Sequence, residues 1–122
     1  YRTALVGKWH LGLPPKFGPR QSGYDQFWGV RGPGADYFQH SGALWDNDTR
    51  ISKTGYLTDL LGDQAVSVIR QQTGKRTPFL LSLHFTAPHW PWEGPGDEAP
   101  ATTEERTEAE ALLKRYSAIR DN

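Results

Sequence analysis

Apolar positions along this chain fall into two compact runs and two stretches of helical period, separated by loops rich in glycine, proline and aromatic rings. Residues 2–7 (Arg-Thr-Ala-Leu-Val-Gly) predict a short buried strand. Leu57, Leu60, Leu61, Ala65, Val68 and Ile69 recur at helical spacing and predict a helix over 58–73 with one apolar face. Thr58 is its expected N-cap, Asp59 suits the first turn, Arg70 suits the end and Gly74 supplies the stop. Pro78 bars continuation. The run beginning at Phe79 is almost wholly apolar and of strand length, which predicts an interior strand of a parallel sheet over 79–86. Thr102 and Glu105 have capping-box spacing and open a second expected helix over 103–120. Its apolar stripe is Ala109, Leu112, Leu113, Tyr116 and Ile119.

Residues 12–55 carry no such period. Gly12 to Arg20 holds three prolines and two glycines, which excludes a regular helix or a central strand. Gly23-Tyr-Asp-Gln-Phe-Trp-Gly29 is an aromatic cluster between glycines, and Tyr37, Phe38 and Trp45 continue it. The expectation is a long loop region pinned by its rings, with a short hairpin around 44–51 turning at Asp46-Asn47-Asp48. Long irregular segments in compact domains are functional or disordered, and the aromatic content argues against disorder.

Composition narrows the classes. A chain of 122 residues fits one domain with a modest core. Its 14 basic and 14 acidic side chains cancel, so there is no nucleic-acid footprint. No apolar run reaches membrane-spanning length. The chain has no cysteine, which excludes disulfides, Cys-based zinc sites and thiol nucleophiles within it. It also has no methionine and opens within a strand-like pattern, so the expectation is an internal segment of a longer protein.

The candidate chemistry lies where the two strands end. Lys8 and His10 stand two apart between Gly7 and Gly12. In extended backbone they point the same way, and a cation beside an imidazole suits an anionic oxygen ester. The plainer alternative is a surface lysine and a histidine packed beside Trp9. A second polar and aromatic loop over 87–100, containing His89, leaves the other strand. If the strands are parallel, His89 and the Lys8–His10 pair share the carboxyl edge where open α/β sheets bind ligands. His89, between Pro88 and Trp90-Pro91, is a candidate proton donor to a leaving group; the alternative is a turn held by tryptophan packing. His84 reads as a satisfied core residue and His40 as a loop histidine that lines a cleft or meets solvent. Asp36, Asp46 and Asp48 read as turn formers, and Asp121-Asn122 as helix surface. No metal ligand set is expected within the chain.

These stretches resemble a known family. Tyr-Arg-Thr-Ala-Leu-Val-Gly7-Lys8-Trp9-His10-Leu-Gly12 is similar to the second signature of the sulfatases, in the alkaline-phosphatase-like superfamily. Gly23-Tyr-Asp-Gln-Phe-Trp-Gly29, Tyr56-Leu-Thr-Asp59 and Pro78-Phe-Leu-Leu-Ser-Leu-His-Phe-Thr-Ala-Pro88-His89-Trp-Pro91 follow in the family's order. The resemblance implies part of an α/β/α sandwich with a mainly parallel sheet, incomplete in this chain. It also implies sulfate-ester hydrolysis by a hydrated formylglycine, with a bound divalent cation, usually calcium. On these residues Lys8 would bind the sulfate and the nucleophile's hydroxyl. His10 would contact that hydroxyl and help expel sulfate, and His89 would hydrogen-bond the ester near its leaving oxygen.

The departures are as informative. The Cys-or-Ser-x-Pro-x-Arg nucleophile motif, the paired aspartates, the later Asp-Asn pair and a further lysine of the family are missing from these residues. The expectation is therefore a catalytic-domain segment, inactive alone, whose cation ligands and nucleophile lie outside it and whose partners are an aryl or carbohydrate sulfate and the rest of the domain. Family resemblance is compatible with export. Two other functions stay open: a phosphonate or phosphate ester hydrolase of the same superfamily, and a non-catalytic glycan-binding module.

Overall fold

The computed structural model describes residues 1–32, 36–38, 40, 42–90 and 92–97. The expected helix over 103–120, residues 98–100 of the expected site loop and the Asp121-Asn122 pair lie outside them. The described strands are β1 (Arg2–Trp9), β2 (Gln26–Arg31), β3 (Leu44–Asp46), β4 (Thr49–Ile51) and β5 (Phe79–His84), with helix α1 (Leu57–Gln72) between the last two. They form one sheet in the order β4-β3-β2-β1-β5. β5, β1 and β2 are parallel, and β3 and β4 add an antiparallel hairpin on β2.

Three strand expectations need correction. β1 does not stop at residue 7 but runs through Trp9, which makes Lys8 a strand residue in register with Val30. Residues 12–55 are not one loop: the aromatic cluster contains β2, preceded by a 3₁₀ turn at Arg20–Ser22. Glycine, read as loop punctuation, here serves close backbone approach. Gly7 pairs with Gly29 on one side and His84 on the other. A Cβ on Gly7 would sit 1.8 Å from the His84 carbonyl oxygen, and one on Gly29 would sit 1.9 Å from that of Gly7. Gly7 also has φ +127°, a region that side-chain-bearing residues rarely adopt. The third correction is β5, which ends at His84 and, among the described residues, has β1 as its one neighbouring strand. Phe79, Leu80, Leu83 and Phe85 are exposed among the described residues, because β1 is the strand's one neighbour there.

α1 packs over β1 and β5. Leu57, Leu61, Ala65 and Val68 bury against Ala4, Val6, Trp28, Val30, Leu44 and Tyr37. Ile69, though at apolar spacing, is exposed on the flank of that stripe. Thr58 is not the cap. The N-cap residue is Tyr56, and it makes no side-chain cap bond. Instead the Leu57 N–H donates to the Tyr37 carbonyl at 2.8 Å, so a loop carbonyl satisfies one of the orphan amides. Asp59 and Arg70 stand in the first and last turns, and Gly74 follows with φ +80°. On the sheet's other face Leu5, Trp9 and Phe27 form a smaller cluster with Tyr24 and Trp45.

Candidate active site

Because β1 and β5 are parallel neighbours with Gly7 opposite His84, their carboxyl ends leave the sheet side by side. Lys8 follows Ala4 and Val6 on the α1 side of β1, by strand alternation, and is half-buried. His10 is the first residue past the strand and is exposed. Its segment is held by Trp9, which is buried edge-on against Tyr24. The Trp9 indole N–H donates to the carbonyls of Gly12 and Phe17, each at 2.9 Å, and so fixes the loop that follows His10. A histidine packed beside the tryptophan is thereby excluded: Trp9 goes inward and His10 outward.

His89 is positioned from a different part of the chain. Its N–H donates to the Thr86 carbonyl at 3.0 Å, closing a turn just past β5. The Tyr37 hydroxyl donates to the His89 carbonyl at 3.0 Å. The Tyr56 hydroxyl donates to the Glu93 carbonyl at 2.8 Å, and the Tyr37 N–H to the Glu93 carboxylate at 3.3 Å. Tyr37 and Tyr56 stack with centroids 5.7 Å apart, and Phe38 lies against Tyr56 at 5.3 Å. Burial, then the neighbouring Tyr56 and Glu93, hold the Tyr37 hydroxyl above the usual phenol range, so it stays a donor. The His89 Nδ1 lies 2.7 Å from the Trp90 carbonyl oxygen. A carbonyl only accepts, so Nδ1 carries a proton and donates, which leaves Nε2 as the nitrogen for chemistry.

The remaining polar residues separate from this edge. His84 is not a core residue. It is exposed on edge strand β5, and its Nδ1 makes a long 3.4 Å bond to the Lys8 carbonyl. His40 does not meet solvent: it is buried, with Nε2 donating to the Gly55 carbonyl at 2.9 Å. Asp36 accepts from the Phe38 N–H at 2.9 Å, a local turn bond. Asp46 accepts from the Asn47 side chain within the hairpin turn. Asp48, by contrast, does more than form a turn: it pairs with Arg20 at 2.6 Å and Arg31 at 3.0 Å. Those donors, Arg31 foremost, hold its carboxyl below the usual carboxylate range. Reading Asp48 from local turn chemistry missed both arginines because they arrive from residues far back in the chain.

Among the described residues no three His, Cys, Asp or Glu side chains stand together as a metal site. Nor is any helix among them long and apolar enough to cross a membrane. A cleft of about 280 Å³ at the opposite, amino edge is lined by Arg2, Asp25, Gln72 and Lys75 and contains none of the three candidate residues.

A family model described as Sulfatase matches residues 1–120. The chain is 31% identical over 121 residues to "Uncharacterized sulfatase YdeN" of Escherichia coli (strain K12), covering 80% of this chain and 21% of that protein. It is 30% identical over 92 residues to an N-acetylglucosamine-6-O-sulfatase of Bacteroides thetaiotaomicron, covering 75% and 15%. The crystal structure of Ps i-CgsB in complex with k-i-k-neocarrahexaose superposes with a TM-score of 0.69 at 30% identity, over 77% of this chain and 25% of that one. The likeness carries the fold, a mixed α/β sheet of the alkaline-phosphatase-like kind that this chain covers in part. The chain spans about a fifth of the length of the curated relatives it matches.

Proposed function

The chain belongs to the sulfatase family, and from that premise we propose that it supplies the sulfate-handling half of a sulfate-ester hydrolase site. The observation that carries this reading is the parallel pairing of β1 and β5, which releases Lys8–His10 and His89 at one edge. A hydrated aldehyde of formylglycine, absent from these 122 residues, would supply the attacking oxygen as its alkoxide, the proton having already left before attack. The Lys8 ammonium binds a sulfate oxygen and stabilises the negative charge gathered there as the ester bond breaks. His89, its Nδ1 proton held by the Trp90 carbonyl, acts as the doubly protonated imidazolium, giving the proton on Nε2 to the departing ester oxygen and returning to the neutral Nδ1–H form. His10 is the base at this edge: it would accept a proton from the second hydroxyl of such a group, the chemistry by which sulfate is expelled. The family's divalent cation, calcium by resemblance, takes its ligands from elsewhere in the protein, and no step here passes through it. Residues 1–122 alone should accordingly turn over no aryl sulfate above background.

A carbohydrate sulfate is the substrate class we favour. One relative's name gives an amino-sugar sulfate, and the solved neighbour holds a hexaose. Beside His89 in this chain, Trp90 and Trp92 are 42% and 59% exposed, and such rings suit stacking on a sugar.

The test is steady-state hydrolysis by the full protein of 4-nitrophenyl sulfate and of a sugar sulfate, with phosphate and phosphonate esters alongside. Lys8→Ala should lower kcat/KM for both sulfates by about 10²-fold or more. His89→Ala should cost the sugar sulfate roughly 10²-fold and the aryl sulfate much less, because nitrophenolate leaves without a proton. Full turnover in Lys8→Ala would overturn the reading. Faster hydrolysis of the phosphorus esters would replace it with the superfamily alternative.

A further inference from the structure

β2 ends at Arg31, whose register partner is Trp9, the residue between Lys8 and His10. Arg31 therefore stands at the same edge as the candidate site, on the sheet face away from α1. Its side chain is only 6% exposed. The guanidinium carbon lies 4.4 Å over the Trp45 ring and 5.4 Å over the Phe27 ring. Nη2 donates to the Asn47 carbonyl at 2.7 Å and to Asp48 at 3.0 Å, while Nε is buried without a partner. Arg50, opposite Trp45 on β4, places its guanidinium carbon 5.1 Å over the same ring. Among the described residues it has no carboxylate partner. A cleft of about 450 Å³, lined by both arginines, Trp45 and Leu13-Pro14, opens between them.

The charge balance of this cleft is one-sided. Among the described residues Asp48 is the one carboxylate paired with Arg31, and it is shared with Arg20. Among the same residues Arg50 pairs with no carboxylate, and the other residues lining the cleft are Leu13, Pro14, Gly42, Ala43 and Trp45. A volume of this size, lined by two guanidiniums and an indole ring, fits one sugar ring bearing an oxyanion. Guanidiniums are the donors of choice for such groups because their fork matches two oxygens.

Resting on the sulfatase reading above, we infer that this cleft is a second anion subsite. It takes a sulfate or carboxylate on the sugar next to the one that carries the scissile sulfate. Trp45 holds the two guanidiniums in place, Arg31 as the buried anchor and Arg50 as the accessible donor. The preferred substrate is then an oligosaccharide with more than one anionic group.

The experiment is calorimetric binding to the full protein of three disaccharides. One carries a single sulfate, one carries two on adjoining sugars, and one carries a sulfate and a uronate carboxylate. The native protein should bind a doubly anionic ligand about ten-fold more tightly than the monosulfated one, the worth of a charge-assisted hydrogen bond. Which doubly anionic ligand gains tells sulfate from carboxylate. Arg50→Ala should abolish that preference, Arg50→Lys should keep part of it, and Arg76→Ala, at the amino edge, should keep all of it. An unchanged preference in Arg50→Ala, or an equal loss in Arg76→Ala, overturns the inference. Failure of the sulfatase reading shows separately, as Lys8→Ala leaving affinity for the monosulfated disaccharide intact.

Discussion

β1 and β5 are neighbours, run the same way and each deliver a candidate histidine to the same edge, yet they are held in place differently. β1 has a strand on both sides and is buried from Ala4 to Gly7. β5 has β1 on one side, and both ends of the strand are exposed among the described residues. The loops differ in the same sense. The residues after His10 are fixed by the strand's own last side chain, Trp9. The residues around His89 are fixed by Tyr37 and Tyr56, which arrive from a segment that is distant in sequence. Two strands of similar apolar content can thus differ in order and anchorage, because an apolar run states what it can bury and its neighbours decide what it does bury.

The contrast can be broken most severely at the seam between the two strands. Gly7→Ala should cost the full protein roughly 4 kcal/mol in denaturant unfolding, since the new Cβ meets the His84 carbonyl and the backbone is left-handed there. Gly74→Ala, also at positive φ but with open space around it, should cost only about 1 kcal/mol. Next comes the core under β1: Leu61→Ala should cost about 3 kcal/mol, a cavity in the α1 interface. Leu80→Ala on the exposed edge should cost less than about 1 kcal/mol if β5 is as uncovered in the full protein as it is here. A loss there equal to that of Leu61→Ala would show that other residues cover β5.

Smaller effects sharpen the comparison at the loops. Trp9→Phe keeps a ring but removes the indole donor, and should cost about 1–2 kcal/mol and loosen His10. Tyr37→Phe removes one hydroxyl donor to the His89 carbonyl and should cost about 1 kcal/mol. It should also slow the sugar sulfate more than the aryl sulfate, as expected if it positions His89. Last is pH. Asp48 has a lowered pKa when folded, so its stabilising contribution is fully present above the ordinary carboxylate value of about 4 and is lost as pH falls through its lower folded value. The melting temperatures of the native protein and Asp48→Asn should therefore converge below that range. A constant gap at all pH values would contradict the role given to the Arg20–Asp48–Arg31 group.

Much of this is legible in the sequence. The hairpin turn shows at Asp46-Asn47-Asp48 because its short polar residues tolerate tight backbone, and Asn47 indeed adopts φ +51°. α1 is legible because its 3.6-residue period survives any surrounding. β2 was hidden because Gly29 looked like a boundary, when it is the partner that lets Gly7 come close. The helix is capped earlier than Thr58 suggests, because the distant Tyr37 carbonyl supplies the acceptor that a local side chain ordinarily supplies.

By itself the sequence determined the periods of α1, β1 and β5, and the residue types able to bind an oxyanion at Lys8, His10 and His89, since these depend on neighbours along the chain. Only the tertiary structure decided which strands adjoin, that β5 lies at an edge, and that Arg31 and Arg50 meet over Trp45. Those outcomes depend on contacts between residues tens of positions apart, and no local pattern encodes which of the possible partners will be near.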